Sequence, residues 1–112
     1  MLTIDELKAL GADTAEGLTR CMNNEDFYLR MVKMALEDDG FEKLEEAIQK
    51  HDLDEAFERA HSLKGVLGNV SLTSLLKPIE EITEELRARN DIDYSDYLSR
   101  MSEQLKQYRG LL

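Results

Sequence analysis

In the segment AHSLKGVLGN, Ala60 to Asn69, a nucleophilic histidine, a lysine and two glycines follow one another at helical intervals. On a helix turning about 100° per residue, Leu53, Ala56, Ala60, Leu63, Leu67 and Val70 share one apolar sector. His61, Lys64, Gly65 and Gly68 fall together at the edge of that sector, with Phe57 beside them. An interior glycine costs a helix roughly 1 kcal/mol relative to alanine, so something other than helix stability wants these two. Glycines serving close helix packing would face the core sector, and these do not. Lying one and two turns beyond His61, they remove side chains that would shield the imidazole from another macromolecule. A neutral imidazole is a nucleophile near pH 7. The Lys64 ammonium, three residues on, can stabilise an anion built on the ring, and a phosphoryl group meets that description.

Such a site needs helices to hold it, and the periodicity supplies them. Thr3 with Glu6 forms a capping-box pair opening a short helix that Gly11 ends, and Asp13 or Thr14 caps a second through about Met22. A third presents Phe27, Met31, Met34 and Ala35 at three- and four-residue spacing and is stopped by Asp38-Asp39-Gly40. Phe41, Leu44 and Ile48 mark a fourth helix ending near Lys50 and His51, after which Asp52 or Asp54 caps the His61 helix. Ser71 or Thr73 caps the next, whose Leu72, Leu75, Leu76, Ile79, Ile82 and Leu86 form one stripe ending around Asn90; Pro78 inside it predicts a kink. Tyr94, Tyr97, Leu98, Met101, Leu105 and Tyr108 are spaced for packing in a last helix. Short connections between the last four helices predict an all-α, antiparallel up-and-down four-helix bundle with additional short N-terminal helices. The bundle core covers about residues 41–110 and the N-terminal helices about 3–38, within a single domain 1–112.

Composition narrows the functions open to such a bundle. The 112 residues carry 24 acidic and 14 basic side chains, a formal charge of −10, whose field repels nucleic acid and anionic membrane surfaces. The lone cysteine, Cys21, cannot form an intramolecular disulfide. With neither a leader-like N-terminus nor a long apolar run, the expected compartment is the cytoplasm. No glycine-rich phosphate loop is present, so independent use of ATP is not expected. The two histidines, His51 and His61, lie on different segments without further ligands, so no metal or cofactor site is predicted in this chain.

The residues His61, Leu63, Lys64, Gly65, Gly68 and Asn69 resemble the phosphorylation segment of histidine-containing phosphotransfer (HPt) domains, with flanking helices that extend the likeness over roughly Phe41 to Arg89. The chain departs from the family pattern at Leu67, where a small residue is common, and at Ser71, where glycine is common. The resemblance implies a relay in which His61 accepts a phosphoryl group from a receiver-domain aspartyl-phosphate and passes it to another receiver aspartate, with Lys64 stabilising the phosphate and Gly65 and Gly68 giving access. It further implies that Thr83 orients the ring and that Arg87 approaches the phosphate. Partners would be response-regulator receiver domains and a hybrid histidine kinase, with magnesium on the receiver rather than here. Phe57, Val66 and Met34 are candidates for docking the receiver, whose interface core should be poor in charge. A monomer is expected, since no extra apolar stripe is evident, and Met1 favours a free-standing protein over a kinase fragment. The alternative reading is a non-catalytic helical module that binds a receiver or kinase without accepting phosphate.

Overall fold

The computed structural model describes all of residues 1–112, which form seven helices and no strand. These are α1 (Ile4–Ala9), α2 (Thr14–Arg20), α3 (Glu25–Leu36), α4 (Gly40–Gln49), α5 (Leu53–Asn69), α6 (Thr73–Arg87) and α7 (Ser95–Arg109). Four N-termini are capped by short polar side chains. Thr3, Asp13, Asn24 and Asp52 accept hydrogen bonds from the amides of Glu6, Glu16, Phe27 and Glu55 at 3.0–3.1 Å, satisfying donors that have no partner within the helix.

Helix α6 departs from expectation. Its N-cap position is Leu72, without a side-chain cap, and neither Ser71 nor Thr73 fills that role. The reason is the end of α5, where Ser71 is committed to a left-handed φ of +55° and Thr73 donates its hydroxyl to the Ser71 carbonyl at 3.3 Å. The helix then runs on through buried Pro78 to Arg87.

Five helices stop in the same way. The residue after the C-cap takes a positive φ at Gly11, Met22, His51, Ser71 and Arg89. At each, the next amide reaches back to a carbonyl five residues earlier: Ala12 to Leu7, Asn23 to Leu18, Asp52 to Ala47, Leu72 to Leu67 and Asn90 to Glu85. This paired termination absorbs orphan carbonyls. Only one of the five positions is glycine. Gly40, expected as a stop, is instead the buried first residue of α4, its amide held by the Asp38 carboxylate at 2.6 Å.

The face of α3 also differs from the predicted one. Tyr28, Val32, Ala35 and Leu36 are buried, whereas Phe27 and Met34 are exposed at 42% and 59% and Met31 is half-buried. Both stripes have helical spacing, and the choice is made by Tyr28, whose hydroxyl donates to the Val70 carbonyl at 2.9 Å and whose ring lies against Gly17 of α2.

The core gathers Leu36, Phe41, Leu44, Leu63, Leu67, Leu75, Ile79, Ile82, Leu86 and Tyr108. Helix α5 packs most extensively against α6 and α4, and α6 against α7. Arg89, just past α6, bonds Asp54 in the first turn of α5, and Ser74 in the first turn of α6 meets the Tyr108 hydroxyl near the end of α7 at 2.7 Å. Neighbouring helices in these pairs therefore run in opposite directions. At the same end as Tyr108, Arg109 donates to the Leu36 carbonyl at 2.8 Å and to Glu42 at 2.7 Å; the latter hydrogen bond holds the Glu42 carboxyl below its usual range. No helix is long and apolar enough to cross a membrane.

Candidate functional site

The predicted wheel of α5 matches its burial. Ala56, Ala60, Leu63, Leu67 and Val70 are buried, Leu53 is half-buried, and His61 and Gly65 are exposed with Lys64 and Gly68 half-buried beside them. Both glycines have ordinary negative φ, so backbone freedom is not what they provide. A Cβ built on either one meets nothing within 4 Å beyond its own stretch of helix. The contrast with Gly17 is instructive, because a Cβ there would lie 2.6 Å from Tyr28 Cζ. Gly17 exists for packing, while Gly65 and Gly68 leave a bare strip of backbone running from His61 toward the end of α5.

His61 has no hydrogen-bond partner within the chain on either ring nitrogen. What holds it is Phe57, one turn earlier, whose ring stacks on the imidazole with centroids 5.7 Å apart and planes 18° from parallel. Two guanidinium groups lie over the same phenyl ring, Arg87 at 5.2 Å and Arg89 at 4.8 Å from its centroid. They are held differently. Arg89 donates to Asp54 at 2.7 Å and to the Leu86 carbonyl at 2.7 Å, whereas Arg87 has only Glu84, one turn back, at 3.4 Å. Lys64 forms no ion pair. In a chain of net charge −10, the helix carries Lys64 three residues beyond the histidine, and two arginines stand over the phenyl ring that stacks on it.

Thr83 is not brought to the ring as expected. It is fully buried, and its hydroxyl donates to the Ile79 carbonyl of its own helix at 2.7 Å, a local bond that competes with any longer reach. The Arg87 guanidinium lies over the Phe57 ring. Phe57 itself is half-buried between His61 and the arginines rather than forming an open docking surface, and Val66 is half-buried against the core. Met34 is exposed. Sequence reasoning missed Arg89 and Asp54. The i, i+4 spacing of Phe57 and His61 carried a signal for their stacking, whereas Arg89 follows α6 and is placed by tertiary structure alone.

Beside the glycine strip, Phe27 and Met31 of α3 line a cleft of about 370 Å³ with Arg20, Cys21, Asn69 and Val70, so a partly apolar surface adjoins the end of α5. A larger cleft of about 1030 Å³ lies elsewhere, between α4 and the start of α7, lined by Ile48, His51, Asp91, Tyr94 and Leu98. It contains none of the residues around His61.

A family model described as Hpt domain matches residues 28–110, and the chain belongs to this family. Domains of the family serve phosphotransfer in two-component signalling. Comparisons with curated proteins and with solved structures give no match.

Proposed function

We propose that this Hpt-domain protein is a phosphorelay intermediate in which His61 is the phosphoryl acceptor and donor. Nε2 attacks the phosphorus of a receiver's aspartyl-phosphate while the imidazole keeps its proton on Nδ1. The N–P bond forms as the acyl-phosphate P–O bond breaks, and the electron pair leaves on the receiver carboxylate; the reverse step passes the group to a second receiver. The reaction needs positioning and charge neutralisation more than covalent machinery. Lys64 and the loosely held Arg87 supply positive charge on this side, and the receiver supplies its acidic pocket and magnesium ion.

The observation that carries the reading is the open backbone over Gly65 and Gly68, directly along the helix from an exposed, unpartnered histidine. A receiver loop bearing the aspartate can lie against that strip, and the side chains of Phe27, Met31 and Met34, with exposed Arg30 among them, offer a surface toward which the receiver extends. Partners under this reading are receiver domains of response regulators and of a hybrid kinase.

The test is to incubate the chain and His61→Gln with phosphorylated receiver domains from its own genome, following binding and label separately. Label that is acid-labile and alkali-stable on the unaltered chain only, with binding retained in His61→Gln, is expected. Binding without label on the unaltered chain would overturn the relay in favour of a module that only binds receivers.

A further inference from the structure

The histidine poses a mechanical problem: an exposed imidazole with no hydrogen-bonded neighbour would rotate freely about its side-chain bonds, which is poor preparation for in-line attack on phosphorus. Thr83, the residue expected to orient it, is bonded within its own helix. The ring's partner is Phe57, at 5.7 Å and 18°. An offset stack of this kind restricts rotation about the last side-chain torsion while leaving both nitrogens at the ring edge open.

Phe57 is in turn restrained from outside α5. Arg89 stands over its ring at 4.8 Å and is fixed by three acceptors, the Asp54 carboxylate at 2.7 Å and the carbonyls of Leu86 at 2.7 Å and Arg87 at 3.4 Å. The left-handed turn at Arg89 returns its side chain across α5 and so connects the end of α6 to the histidine's support. Guanidinium groups hold aromatic faces well, and one with its donors already engaged is suited to support more than to phosphate binding.

We infer that Phe57 is the positioning residue of His61, holding the imidazole plane by stacking, and that Arg89, pinned to Asp54, locks Phe57 in place. The inference rests on His61 being the phosphoryl acceptor, but its first test does not depend on phosphate at all. In the unaltered chain, NMR should show the His61 ring protons shifted by the phenyl ring current, with through-space contacts to Phe57 and restricted ring motion. Phe57→Leu should abolish these while circular dichroism shows the bundle still folded, and Phe57→Tyr should retain them. Absence of the contacts in the unaltered chain would overturn the stack.

The second arm uses phosphoramidate, a small donor that needs no docking surface; Nε2 displaces ammonia from its phosphorus. Phe57→Leu should slow labelling of His61 roughly fivefold, the scale of an aromatic pair's energy, and Phe57→Tyr should restore it. Equal rates in Phe57→Leu and the unaltered chain, with the stack seen by NMR, would overturn the positioning role. Failure of the unaltered chain to be labelled by either phosphoramidate or any receiver would overturn the relay itself, a result distinguishable from loss of the stack.

Discussion

Replacing Gly65 and Gly68 by alanine should make the protein more stable and worse at its task. Both residues are helical, with no positive φ to preserve, and a Cβ at either meets nothing within 4 Å, so the substitution carries no steric cost inside the fold. The gain is helix propensity, roughly 1 kcal/mol at each position and about 2 kcal/mol for the pair. For a domain of this size 1 kcal/mol raises the midpoint of thermal unfolding by about 4 °C, so the double variant should melt about 8 °C higher. Gly65→Leu should keep most of that gain, because leucine is nearly as good a helix former as alanine. Against a receiver lying on the bare backbone, a leucine side chain has to be accommodated by displacement costing about 1–3 kcal/mol, which is roughly five- to 150-fold in transfer rate. Urea and thermal unfolding give the stability, and quenched-flow transfer from a phosphorylated receiver gives the rate, with phosphoramidate labelling as the control that needs no docking. Unfolding at lower temperature, or receiver transfer by Gly65→Leu at the unaltered rate, would refute the argument that these glycines exist for a partner.

Gly17 should behave oppositely: in Gly17→Ala the new methyl lies 2.6 Å from Tyr28 Cζ and 2.7 Å from its hydroxyl oxygen, so urea unfolding should show a loss of about 1–3 kcal/mol despite better helix propensity. Ser71→Gly should stabilise by about 1 kcal/mol, since it relieves a left-handed non-glycine residue. It also removes a buried hydroxyl that has no partner; an unchanged or lowered denaturation midpoint would contradict both causes. Burial pushes the Tyr28 hydroxyl up to about 12 and also raises that of Tyr108. Because the folded values exceed the unfolded one, this stabilisation is complete below about pH 10 and is lost as pH rises toward 12, about 3 kcal/mol from Tyr28 alone. Tyr28→Phe, which loses the bond to Val70, should start less stable but fall less steeply over that window, and an identical slope would count against the assignment.

What could be read from the sequence was what depends on spacing and local chemistry. The face of α5, the cap at Thr3, the choice of Asp13 or Thr14 and of Asp52 or Asp54 as caps, and the exposure of His61 beside two glycines all follow from residues within a few positions of one another. Errors arose where two local patterns were equally good or where a distant element decided. Phe27, Met31 and Met34 have a core stripe's spacing, but Tyr28 wins because Gly17 makes room for its ring and Val70 accepts its hydroxyl proton. Helix stops at Met22, His51, Ser71 and Arg89 lack the glycine by which such stops are recognised, so the sequence offers Ser71 or Thr73 as a cap and carries no sign of the left-handed turn at Ser71. Thr83 is a polar residue on the helix paired with α5, yet its hydroxyl finds an acceptor within its own helix, the Ile79 carbonyl. The support that does reach the ring involves Arg89 and Asp54, separated by 35 positions and joined only when α6 folds back on α5.

The most direct test of the account is to locate the phosphoryl group. After transfer from a phosphorylated receiver, the chain would be digested at alkaline pH and mapped by mass spectrometry, with ³¹P NMR assigning the ring nitrogen. A single phosphohistidine at Nε2 of His61 is expected. His51, the only other histidine, exposed and paired with Asp91 at 3.3 Å, serves as the internal control. A phosphoryl group on His51, or on no histidine in a chain that binds the receiver, would contradict it.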